Sequence, residues 1–190
     1  MTILILFVFL FVVVVVLLLI FAIIGFNRLR TADVGAQEAL GGIDVQLTRR
    51  ADLIPNLVET VKGYAAHEKT VLENVTAARA RVQQAASGDD VKAKAEADAA
   101  LQGALVNLNA VAENYPDLKA NQNFANLQNQ LADTEDQISF ARQYYNDAVA
   151  TLNKLVRTIP WMLFSGMANV REREFYDAPA GQEQAPTVSF

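Results

Sequence analysis

The sequence predicts an all-α protein: a single N-terminal transmembrane helix followed by an antiparallel four-helix bundle. Three observations lead there. Residues 3–24 read ILILFVFLFVVVVVLLLIFAII, without one polar side chain. Beyond residue 30, apolar residues recur at steps of three and four, the stripe of helices packed at shallow angles. Three short stretches interrupt that period, and no stretch after residue 30 alternates as a strand.

About 20 apolar residues cross the hydrocarbon core of a bilayer as a helix, so Ile3 to Ile24 fits one crossing. Residues such as Leu10, Val14 and Leu18 near its centre each favour insertion by about 0.3–0.6 kcal/mol. A cleaved signal peptide would pair a basic start with a shorter apolar stretch and a small-x-small exit. Here Met1-Thr2 precede the run and GFNRLR follows it, so residues 1–30 read as an uncleaved anchor. Arg28 and Arg30 lie just past the span, and the positive-inside rule then puts the body on the cytoplasmic side.

In the body, residues 31–176, one seam runs Ala36, Leu40, Ile43, Leu47, Arg50, Ile54, Leu57, Val61, Tyr64, Glu68, Val71, Val75, Ala78, Val82. A second runs Leu101, Leu105, Leu108, Ala112, Tyr115. A third runs Phe124, Leu127, Leu131, Thr134, Ile138 and on through Tyr145, Val149, Leu152, Val156, Ile159. The clearest break is Ser87-Gly88-Asp89-Asp90, where Gly88 suits a left-handed helix end and Asp89 a cap. Pro116 biases Tyr115 out of helix. At Asp52–Pro55 a capped restart is cheap, because proline is tolerated in a first turn and costs about 3 kcal/mol in an interior. A turn or sharp kink is favoured there, although the seam keeps its phase from Leu47 to Leu57. The expected helices are then 28–51, 53–86, 89–114 and 120–159, with short connections making neighbours antiparallel.

The chain carries a net charge of −5 and no cysteine. The acidic balance argues against a nucleic-acid partner, and the missing cysteines remove thiolate chemistry, disulfides and cysteine metal sites. His67 lacks the second histidine four residues on that a zinc-protease helix needs; position 71 is Val71. Gly41-Gly42 has no Lys-Ser/Thr after it and no strand before it. The carboxylates are scattered along helix faces, where solvated charge is the default. No catalytic, cofactor-binding or metal-ligating set is expected, and the protein reads as a non-enzyme.

Arg50 and Glu68 fall on the seam and Arg142 beside it. Buried charge is costly unless paired, so either Glu68 and Arg142 form an interhelical ion pair that fixes the register or both side chains snorkel to solvent. An up-down-up-down order returns residues 154–164 to the membrane side. There Trp161 and Phe164, beside Lys154 and Arg157, are a candidate membrane interface, with capping of the bundle core as the competing role. Residues 177–190 are short of core-forming side chains and read as a disordered tail.

Two long motifs carry a resemblance: residues 45–58 (VQLTRRADLIPNLV) with Thr60–Tyr64 and His67-Glu68, and residues 113–121 (ENYPDLKAN) with Phe124 and Leu127. Thr134-Glu135, Ile138, Arg142, Tyr145-Asn146 and Asn153 form a third block. By these the chain resembles the LemA family over nearly its whole length, although the stretch Val34 to Gly42 lacks the tryptophan usual there. The resemblance implies a bacterial membrane protein built as an antiparallel four-helix bundle, and it supplies no activity. Similar proteins include a magnetosome-membrane component, and relatives are often encoded near membrane metalloproteases; these are associations, not mechanisms.

The expected function is therefore a non-enzymatic scaffold in the bacterial inner membrane, self-associating as a homo-oligomer, with Ala36 to Leu47 as the subunit contact. An adaptor regulating a membrane protease or envelope process through a membrane protein partner is one alternative. A membrane-shaping protein is another. The lipid bilayer is a partner in all three.

Overall fold

A computed structural model describes residues 1–176; the tail expected to be disordered, 177–190, lies outside the described residues. Among them every regular element is helical: α1 (Thr2–Lys62), α2 (Lys69–Ala86), α3 (Val91–Ala112), α4 (Pro116–Lys119), α5 (Gln122–Arg157) and α6 (Met162–Ala168). Two compact units divide the chain. One is Met1–Ala39 with Asn146–Glu174; the other is Leu40–Tyr145 with Phe175 and Tyr176.

In the second unit each long helical segment buries one stripe. Ile43, Leu47, Ile54, Leu57 and Val61 come from α1, and Val75 and Val82 from α2. Leu101 and Leu108 come from α3, and Phe124, Ile138 and Tyr145 from α5. The polar links between segments show which positions lie side by side. Asp44 with Lys94 and Arg50 with Asp98 step along α1 and α3 in the same sense. Arg142 with Asp98 and Gln128 with Asn109 step along α5 and α3 in opposite senses. Arg50 with Glu135, and Tyr64 just past α1 with Asn121 just before α5, do the same for those two helices.

The expected break at Asp52–Pro55 does not occur. Helix α1 runs through Pro55 to Lys62, and the chain turns at Gly63–Glu68 instead. Proline has no N–H, so the carbonyl four residues back, on buried Ala51, loses its helical donor. Arg79 of α2 supplies a replacement: its Nε–H donates to the Ala51 oxygen at 2.9 Å. With that acceptor satisfied, the seam's continuous phase decides the outcome. The number of long helices stays four, with the first turn moved about ten residues on.

The other two breaks form nearly where expected. Asp90, not Asp89, caps α3, its side chain accepting from the Ala93 N–H at 3.0 Å. Gly88 takes no left-handed conformation. Pro116 starts the short helix α4, which the sequence reading did not anticipate. Asn121 then caps α5, its side-chain oxygen accepting from the Asn123 and Phe124 amides.

The first unit pairs the beginning of α1 with the end of α5 and the segment after it. Leu29, Ala36 and Ala39 are buried from α1, Val149 and Leu152 from α5, and Phe164, Ala168 and Val170 from the final stretch. That stretch is tied down by its backbone. The Asn153 side chain donates to the Arg173 carbonyl and accepts from the Arg173 N–H, both at 2.9 Å. The Arg173 guanidinium reaches Asp33 and Gln37 on α1.

Candidate functional site

The apolar run at the start of α1, a candidate membrane span, is the first feature of the site. Every large apolar side chain from Ile3 to Phe21, with Ile23 and Ile24, is exposed, among them Leu10, Val14 and Leu18. A core helix of the same composition would have buried one face; this run buries none and is long and apolar enough to cross a membrane. Arg28 and Arg30 follow the run, and Arg30 sits 3.8 Å from Asp33.

Against the end of that run lies the segment Trp161–Phe164. The Trp161 ring stacks on Phe21 at 5.9 Å, and Phe164 meets Phe21 edge-on at 5.5 Å. The Arg28 guanidinium lies 4.8 Å above the Trp161 ring, a cation–π contact. Gly25 makes the fit possible, since a Cβ there would stand 2.5 Å from the Phe164 ring. Trp161 and Phe164 thus pack on the end of the apolar run, through Phe21 and Gly25.

The second feature is a buried ion network. Asp98 on α3 is fully buried and bridges two arginines: Arg50 Nη1 donates to it at 2.9 Å, and Arg142 Nη2 donates to its other oxygen. Arg50 also reaches Glu135 at 2.6 Å. One turn before Asp98, the fully buried Lys94 pairs with Asp44. Burial pushes the Asp44 carboxyl up more than its pairing with Lys94 pulls it down.

Tyr176 closes the network, with the Arg142 guanidinium 5.2 Å over its ring. Burial and the nearby Asp98 charge push its phenol well above the ordinary value of 10.0. The folded state therefore holds this proton at a pH where the unfolded chain releases it. Stability is complete below pH 10 and falls as pH rises beyond it. Alkaline denaturation of the wild type against Tyr176→Phe should show a steeper loss above pH 10 in the wild type; parallel curves would contradict the assignment.

The pair expected from the sequence, Glu68 with Arg142, does not form. Arg142 is taken by Asp98, and Glu68 accepts from the Tyr115 hydroxyl at 3.0 Å, at the turn between α1 and α2. The default reading of the carboxylates as solvated charge also fails at Asp98, which is fully buried. Extending the second seam backwards from Leu101 in steps of three and four lands on Asp98 and then Lys94. Arg50, singled out as needing a partner, has two.

The third feature is an outward face. The seam stretch Ala36, Leu40, Ile43 and Leu47 is buried inside the chain itself, so those side chains are not available to a second subunit. On α5, by contrast, Phe140 and Tyr144 stand 70% and 62% exposed, one helical turn apart. Among the described residues, no group of three or more His, Asp or Glu side chains could hold a metal ion.

The all-helical fold, the exposed apolar run and the packed ion network define a membrane-associated helical protein with one candidate transmembrane helix. The chain belongs to the LemA family, which it matches over residues 39–190. It is similar to the magnetosome protein MamQ of Magnetospirillum gryphiswaldense, with 25% identity over 183 residues, covering 84% of this chain and 67% of the relative. Magnetosome proteins MamQ 1 and MamQ 2 of Paramagnetospirillum magneticum align with the same coverage at 24% identity.

Proposed function

We propose that this chain is a non-enzymatic scaffold, anchored by residues 1–30, whose copies associate side by side in the bacterial inner membrane. The single observation that carries the self-association is the Phe140–Tyr144 pair. Large aromatic side chains left unpartnered a turn apart are typical of contact surfaces. Because the seam side chains Ala36, Leu40, Ile43 and Leu47 are used inside the chain, this face of α5 replaces them as the subunit contact. The senses of the polar links between helices support an antiparallel four-helix bundle for the body. Arg28 and Arg30 support a cytoplasmic body.

One single-cysteine variant tests contact and orientation together, since the natural chain has no cysteine. Phe140→Cys in intact membranes should crosslink to a homodimer with a short bismaleimide. An impermeant maleimide should label it in inverted vesicles and not in spheroplasts. A crosslink only to a different protein would replace the scaffold with an adaptor, the reading closest to the family's association with membrane proteases. Labelling in spheroplasts would reverse the orientation.

A further inference from the structure

The anchor is accompanied by a second apolar element. Residues 158–170, TIPWMLFSGMANV, carry no charge and are flanked by Arg157 and Arg171. One face of α6 buries Phe164 and Ala168. Its other face holds Leu163 and Met167, four residues apart and 70% and 67% exposed, with Ile159 just before the helix at 77%. A helix apolar on both faces belongs in a core or in lipid. Its depth is fixed by contact: Trp161 and Phe164 touch Phe21, which lies inside the apolar run, and Phe164 rests on Gly25 at its end.

We propose that Ile159, Leu163 and Met167 form a membrane foot that inserts into the bilayer leaflet where the anchor ends. The occupant of this face is lipid. The face is continuous with the exposed side chains of the span, it has no charge to desolvate, and Trp161 with Arg28 occupies the headgroup level that such pairs favour. The chain then holds the membrane at two points, a crossing helix and a short helix lying in the interface. The foot fixes the depth of the anchor from outside the span.

The inference rests on reading Ile3 to Ile24 as a span, and the test separates the two. The full chain is reconstituted in phosphatidylethanolamine–phosphatidylglycerol vesicles with an environment-sensitive fluorophore on single cysteines. Leu163→Cys and Met167→Cys report the foot, Val14→Cys the span, and Val106→Cys, 61% exposed in the body, the solvent. The foot probes should shift to the blue, lose quenching by aqueous iodide and gain quenching by lipids spin-labelled near the headgroup. Foot probes that match Val106 while Val14 is lipid-buried would overturn the foot alone. Foot probes shielded from iodide but untouched by lipid quenchers would place a protein there, a second copy included, and overturn it too. A solvent-exposed Val14 probe would overturn the span itself, and the foot with it.

Discussion

Asp98→Ala is expected to destabilise the protein by about 3–5 kcal/mol, the cost of removing one partner from a buried ion pair. The carboxylate is fully buried and receives both Arg50 and Arg142. Its loss leaves two guanidinium groups facing each other beside Glu135. Arg142→Met should cost less, because Asp98 keeps Arg50 and the shorter apolar side chain needs no partner. Chemical denaturation of the full chain in detergent, followed by the helical signal, ranks the two. An Asp98→Ala loss below about 1 kcal/mol, the level of solvated surface pairs, would contradict a dry network.

The second large effect concerns the proline that α1 absorbs. Arg79→Ala should cost about 1.5–3 kcal/mol, the range for a hydrogen bond to a charged group, because it strands the buried Ala51 carbonyl. In a Pro55→Ala background that cost should largely vanish, since the substituted residue brings back the N–H that Ala51 would otherwise receive. Pro55→Ala alone should stabilise, by up to about 3 kcal/mol. A double-mutant cycle reads the coupling directly. Strict additivity would mean that Arg79 does not replace the missing helical donor.

These two sites mark the boundary of what the sequence made legible. Helix type and the seam positions could be read, because burial follows a period that the residues display openly. Pro55 misled because its cost depends on a residue 24 positions away that hydrogen-bonds across helices, and no local signal announces that. The ion network was half visible. Arg50 stood on the seam and demanded a partner, and extending the second seam upstream of Leu101 would have reached Asp98 and Lys94. Choosing Glu68 for Arg142 failed because which seam charges share a level depends on where the turns fall, and the first turn was placed about ten residues early. The docking of Trp161 and Phe164 on the anchor was legible only in kind. Their character suggested the membrane side, but the fit depends on Gly25, whose missing side chain leaves room for a ring from a segment 139 residues later.

Self-association through the exposed face of α5 is the central claim, and a subunit count in lipid tests it most directly. The full-length protein, extracted from membranes into native nanodiscs, is weighed by mass photometry beside a Phe140→Glu, Tyr144→Glu variant. The wild type should give a discrete multiple of the 20.8 kDa chain, and the variant should fall to one chain per disc with its helical content intact. A wild type that is monomeric in every disc would contradict the scaffold.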